Sequence, residues 1–251
     1  MAADMRAALK AVAALFPTAI ISGRGLHKVT AFVQLDELYY AGSHGLDIAG
    51  PRAQSGAAPL LHQPVPWAEL LMDRVHDALV AAVAAIAGAS VEHNKFCVTV
   101  HYRQCPDAWR EVEAAVGTAL AGLAVGGEAH ELHVTRGRKV FEVRPRVDWD
   151  KGKALLFLLQ ELGLLGREGA PPLACDVFTI YLGDDVSDED AFQTLADRGL
   201  GAGVLVASRC KPTAARFTLQ SPSEVLDFLT RLRDLGLRRA ATAAQELTPA
   251  A

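Results

Sequence analysis

Apolar side chains recur at helical spacing from Met5 to Leu15, and the short apolar run Thr18–Ile21 then stops at the turn Ser22-Gly23-Arg24. The first pattern predicts a helix and the second a buried strand ending in a glycine-containing turn. The same reading predicts helices over Leu26–Val33, Trp67–Ala87, Trp109–Leu123, Lys151–Leu162, Asp188–Arg198 and Ser223–Leu235. Apolar or alternating runs predict strands over Leu38–Ala41, Lys95–Tyr102, Glu131–Val134, Lys139–Arg144, Asp176–Leu182 and Ala202–Val206. The segment Thr135-Arg136-Gly137-Arg138 reads as a hairpin turn between two of them.

Residues 49–66 contain four Pro and two Gly and read as a loop or boundary. On either side, residues 1–48 and 147–240 alternate apolar strands with helices. That order predicts an α/β fold, a parallel sheet wrapped by helices. Residues 49–146 read as an inserted α+β module, and 241–251 as a frayed, Ala-rich tail. Two parts imply a cleft between them, where ligands usually sit.

Half of the 251 residues are apolar, enough for a real core, and the net charge of −4 gives no polyanion-binding surface. Nucleic acid is therefore not an expected partner, and an anionic ligand needs a local cluster of cations. The longest apolar run, Ala78–Ala87, is too short to span a bilayer. No membrane association is expected. Cys97, Cys105, Cys175 and Cys210 form no CxxC pair, and the histidines are scattered, a poor pattern for zinc or for a disulfide framework. A soluble protein of a reducing, cytoplasmic compartment is the expectation.

The strongest chemical signal is Gly183-Asp-Asp-Val-Ser-Asp-Glu-Asp190, in which five of the seven residues from Asp184 are acidic. Carboxylates packed this closely after a strand favour a divalent cation, and an oxygen-only donor set suits Mg²⁺. Acidic residues also enrich the first turn of ordinary helices, with Ser187 a candidate cap. A cap, however, needs one carboxylate rather than five. Ser22-Gly23-Arg24 could cradle a phosphate, and Lys151 could give it a point charge. Each is weak alone.

Taken in order, Ser22-Gly-Arg24, Tyr40-Ala-Gly-Ser-His-Gly45, Asn94-Lys-Phe96, Gly137-Arg-Lys139, Glu142-Val-Arg-Pro145, Trp149-Asp-Lys-Gly152 and Gly183–Asp190 resemble the plant-type trehalose-6-phosphate phosphatases of the haloacid dehalogenase superfamily. The resemblance covers roughly residues 4–235. It implies a Rossmann-like core with an inserted α+β cap, a sugar-phosphate substrate and an aspartyl-phosphate mechanism assisted by Mg²⁺. Ser22 and Lys151 would hold the phosphoryl group. Asp184, Asp185 and Asp188 would serve the metal. Arg24, Glu92, Lys95, Arg138, Lys139 and Glu142 would meet the substrate. The family pattern opens with an apolar strand ending Asp-x-Asp-Gly-Thr, and this sequence contains no such segment. The resemblance therefore implies that nucleophile and acid are absent from this chain, a fragment or an incomplete gene product. It also implies turnover near background and a central sheet whose two neighbouring strands have open edges. A homologue that binds sugar phosphate without hydrolysing it is the alternative. A phospho-accepting receiver domain shares the acidic residues and the lysine, but is about half this length and has no inserted module.

Overall fold

The computed structural model describes residues 1–51, 60–124, 132–165 and 177–246. Its first sheet is β1 (Ala19–Ile21), β2 (Tyr39–Gly42), β3 (Asp47–Ala49) and β4 (Leu61–His62), in that order. β1 and β2 are parallel, but β3 and β4 add in antiparallel fashion. The purely parallel sheet expected from the strand–helix alternation is thus corrected here. Leu61–His62, read from sequence as loop, extends this sheet past residue 48.

A second sheet, β9 (Thr179–Gly183), β10 (Gly201–Val206) and β11 (Phe217–Leu219), is wholly parallel. A third runs β5 (Ser90–His93), β6 (Val98–His101), β8 (Val140–Pro145), β7 (Leu132–Gly137) and is wholly antiparallel. β3, β4, β5 and β11 were not foreseen; each is four residues or fewer, too short for its alternation to stand out. Among the described residues β1 pairs only with β2 and β9 only with β10, so each leaves one edge unpaired.

The helices are α1 (Ala3–Ala13), α2 (Leu26–Val33), α3 (Ala68–Val83), α4 (Trp109–Ala124), α5 (Lys151–Glu161), α6 (Glu189–Arg198) and α7 (Pro222–Glu246). α7 continues to residue 246, so its Ala-rich end is helical rather than a frayed tail; residues 247–251 lie outside the described ones. Alanine is the best helix former, which accounts for the extension. Among the described residues no helix is long and apolar enough to cross a membrane.

α5 joins the first two sheets. Its Leu155 and Leu159 pack with Tyr181, Phe192, Leu195 and Leu205. Its Ala154 and Leu158 pack with Ala41 and Ile48, and Ile21 touches both groups. The third sheet has a core of its own: α3 and α4 bury Met72, Val75, Leu79, Val112 and Val116 against Val98, Val100, Phe141 and Val143. A fully buried side chain of this size stabilises by roughly 1.5–3 kcal/mol.

Candidate active site

α5 begins where Asp150 accepts a hydrogen bond from the Lys153 N–H at 2.8 Å. That cap sets Lys151 as the first helical residue and turns its side chain inward, 5% exposed. Its ammonium donates to Asp188 Oδ1 at 2.7 Å. Asp188 lies in a 3₁₀ turn (Val186–Asp188) between β9 and α6. The same oxygen accepts the Tyr181 hydroxyl at 2.8 Å, and Oδ2 accepts the Asp184 and Asp185 N–H groups at 3.0 and 2.9 Å. Burial alone would raise the Asp188 pKa, but the Lys151 charge and these donors hold it below the usual carboxylate range. A Cβ on Gly183 would lie 2.4 Å from Asp188 Cγ, so only glycine leaves room for this carboxylate.

Asp184 and Asp185 present exposed side chains at the end of β9. Asp185, not Ser187, caps the turn, accepting from the Val186 N–H at 2.7 Å and forming a capping box with Asp188. Asp190 is raised by burial and by the Asp150 charge, against Arg144, Lys151 and His44.

Ser22 follows β1, its Oγ accepting from the Arg24 N–H at 3.2 Å. Its carbonyl accepts from the His44 N–H at 2.9 Å. Gly23 packs against the His44 imidazole, where a Cβ would come within 2.7 Å of Nε2. Ser43 and His44 both have left-handed backbones, with φ of 49° and 58°. For non-glycine residues this conformation costs of order 1–3 kcal/mol each and persists where the surroundings impose it. Here Ser43 Oγ donates to the Asn94 carbonyl, tying the loop after β2 to the turn between β5 and β6. Asn94 Oδ1 in turn accepts from the Gly25 N–H at 3.2 Å and from Lys28 at 3.0 Å.

The third sheet meets the others at this point. Glu92 pairs across Thr99 to Glu142, so the three side chains form one row on one face. Glu142 Oε2 stands 3.4 Å from His44 Nε2. Burial pushes the Glu142 pKa up, but His44, Arg144 and Lys151 together bring it below its ordinary value. Glu92 is bonded to Lys28 and to His101, each at 2.6 Å. Lys95 is held 3.8 Å from Asp47 and 3.7 Å from Glu69, above the Phe96 ring.

Of the residues singled out from sequence, Ser22 and Glu142 are both neighbours of His44, and the Lys151–Asp188 pair lies close enough for the Lys151 charge to act on Glu142. Glu92 and Lys95 flank this group. Arg24 is exposed and lies over Phe32. Arg138 and Lys139 do not join: they form the exposed turn between β7 and β8, at the sheet end opposite the Asn94 turn. The hairpin turn is therefore Arg138-Lys139, later than the sequence reading placed it. His44, Arg144 and Tyr181 were not foreseen as site residues, although the first two stand inside the motifs that carried the resemblance.

The trehalose-phosphatase family model matches residues 1–223. Trehalose 6-phosphate phosphatase RA3 of Zea mays is 46% identical over 241 residues, covering 92% of this chain and 63% of that protein. Probable trehalose-phosphate phosphatase I of Arabidopsis thaliana is 46% identical over 239 residues, covering 92% and 61%. This chain belongs to the trehalose-phosphatase family. It spans about three fifths of the length of the curated relatives it matches. Two solved structures share the fold. The C-terminal domain of the C. albicans trehalose-6-phosphate phosphatase has a TM-score of 0.70 at 21% identity, covering 93% of this chain and 84% of that one. A trehalose-6-phosphate phosphatase related protein has a TM-score of 0.73 at 18% identity, covering 95% and 90%.

For a trehalose-phosphatase chain, the charge arrangement is telling. Lys151 and Asp188 neutralise one another out of water, while Asp184 and Asp185 turn their carboxylates toward solvent. One acidic run thus serves two physical purposes.

Proposed function

We propose that this chain binds trehalose 6-phosphate and takes part in its hydrolysis to trehalose and phosphate. The observation that supports this best is the buried Lys151–Asp188 pair at the end of β9, beside a sheet face carrying Glu142 and Glu92. Cation and carboxylates in that order suit a phosphoryl group joined to a polyhydroxylated sugar. In this reading residues 1–48 and 147–240, with Leu61–His62, form the phosphatase core, and 49–146 otherwise form the cap.

Lys151 is preorganised by Asp188, so its ammonium meets a phosphoryl oxygen without reorganising. Ser22 Oγ, bonded to the Arg24 N–H, presents its own proton to a second oxygen. Glu142 and Glu92 accept sugar hydroxyls, and Lys95 donates to one. Arg24 is a rim contact. Arg138 and Lys139 fall outside this site. The nucleophile that the resemblance implies is an aspartate of an Asp-x-Asp-Gly-Thr segment, and no residue of this sequence is given that role.

The donor set fits Mg²⁺. Asp184 offers an exposed hard oxygen at the strand end, and Asp185 a second beyond its bond to Val186. Asp188 accepts four protein donors and would act through the Asp184 and Asp185 backbone rather than by ligation. When bound, the cation would supply positive charge for the phosphoryl oxygens. The thiols Cys97, Cys105 and Cys210 are free, which suits a reducing, cytoplasmic setting.

Isothermal titration of the purified chain with trehalose 6-phosphate, sucrose 6-phosphate and glucose 6-phosphate in Mg²⁺, with phosphate release followed in parallel, tests the reading. Tightest binding of trehalose 6-phosphate, lost in Lys151→Met, is expected. Equal or tighter binding of sucrose 6-phosphate defeats the substrate assignment.

A further inference from the structure

Three side chains far apart in sequence converge where the third sheet meets the loop after β2. His44, Cys97 and Glu142 each place a ligand atom within 4.8 Å of the other two. His44 is 5% exposed and Cys97 fully buried. Nδ1 of the His44 ring has no hydrogen-bond partner, and Nε2 faces the Glu142 carboxylate at 3.4 Å. A buried imidazole nitrogen left without a partner is uncommon, because an unmade bond in a dry site is costly.

The backbone makes this cluster deliberate. Cys97 precedes β6 and shares a face with Thr99, which pairs with Glu142 on β8. The thiol and the carboxylate therefore project from the same side of one sheet. His44 is brought up to them by a left-handed loop pinned through Ser43 to Asn94. Gly23 lies against the ring, leaving no room there for a Cβ.

We propose that His44, Cys97 and Glu142 form a binding site for a soft or borderline divalent cation, zinc above all. One imidazole, one thiolate and one carboxylate leave a tetrahedral cation its fourth position for water, and the two anionic ligands balance its charge. Ligand atoms around tetrahedral zinc stand roughly 3.3–3.8 Å apart, so the set has to contract by about 1 Å. In the metal-free chain burial pushes the Cys97 thiol up to about 12, leaving it protonated and unreactive; the cation displaces that proton on binding. This donor set differs from the oxygen-only group at Asp184 and Asp185, so the two positions select different ions. The site stands on these side chains alone. A consequence rests on the reading of Glu142 as a sugar ligand: zinc would occupy that carboxylate, clamp the third sheet to the His44 loop, and compete with sugar phosphate.

Cobalt(II) titration of the metal-free full chain tests the site, since a thiolate ligand gives a strong near-ultraviolet charge-transfer band. The expected result is one equivalent of band, discharged by zinc, lost in Cys97→Ser and weakened in His44→Asn. It should persist in Cys105→Ser, Cys175→Ser and Cys210→Ser. A band that follows another cysteine overturns the proposal, and so does its absence from the wild-type chain. Zinc-edge X-ray absorption on the unmutated chain guards against a Cys97 variant that fails to fold: a shell of nitrogen and oxygen with no sulfur also overturns it. Sugar-phosphate binding is then measured with and without zinc. Unchanged affinity beside a confirmed cobalt band removes the competition and the sugar role of Glu142, but leaves the metal site standing.

Discussion

The Lys151 ammonium and the Asp188 carboxylate meet at 2.7 Å with both side chains 6% exposed. Removing one partner of such a pair leaves the other buried and uncompensated, which costs about 3–5 kcal/mol. Lys151→Met is therefore expected to lower unfolding stability by that amount near neutral pH, as read by urea denaturation. The native Asp188 pKa is depressed below the ordinary aspartate value of 3.8. Its contribution is thus fully present above the unfolded value and is lost as pH falls through the lower, native one. The stability gap between wild type and Lys151→Met should accordingly narrow in acid, below about pH 4. A gap that stays constant down to pH 2 contradicts the assignment.

Gly183→Ala should do comparable damage by a different route. The added Cβ would sit 2.4 Å from Asp188 Cγ and 2.6 Å from Oδ2. The carboxylate must shift, and it is held by four donors, so the strain falls on Lys151 as well. A thermal midpoint lowered by several degrees is expected, with weaker binding of phosphate. An unchanged midpoint together with unchanged phosphate binding would show that the turn yields more easily than these distances imply.

How much of this was legible beforehand depends on sequence distance. Lys151 and the acidic run were visible because each follows or opens a strongly patterned element. Their pairing was not visible, since 37 residues separate them. His44, Cys97 and Glu142 are more scattered still, and the cysteine spacing argued against zinc. Only the pairing of β6 with β8 and the left-handed turn at Ser43–His44 bring them together. The α2 helix was legible to the residue, because Gly25 precedes it and its apolar positions are unambiguous. β3 and β4 were hidden: three and two residues show no alternation, and antiparallel pairing is not encoded locally. Arg138 and Lys139 were read as charges at a strand edge, and register sets them at the sheet end opposite the Asn94 turn.

Lys28 spans from α2 to the third sheet, donating to Glu92, to the His93 carbonyl and to Asn94. Its loss in Lys28→Met should cost about 1–2 kcal/mol, allowing for partial exposure. Burial would raise the Glu92 pKa, but its bonds to Lys28 and His101 bring it below the ordinary glutamate value of 4.5. The contribution is therefore present above that value and fades as pH falls through the native pKa. Equal midpoints for Lys28→Met and wild type at pH 7 in chemical denaturation would contradict the bridge.

Arg138→Ala and Lys139→Ala give the sharpest contrast with Glu142→Gln. Register puts Val140 opposite His101 and Val143 opposite Val98, so the Arg138-Lys139 turn and the Asn94 turn lie at opposite ends of the sheet. Lys139 stands three positions before Glu142, roughly 10 Å along the strand. The two cations are exposed, and a screened charge at that distance acts weakly. Their replacement is expected to change trehalose 6-phosphate affinity by less than about twofold at physiological salt. Glu142→Gln should weaken it by tenfold or more if the proposed contact holds, because a half-buried charged acceptor is exchanged for a neutral amide that offers one acceptor oxygen instead of two. Calorimetry on the three variants decides between two geometries. A large loss in the arginine or lysine variant would mean that the ligand reaches across the sheet, and that the row from Glu92 to Glu142 is not where the sugar sits.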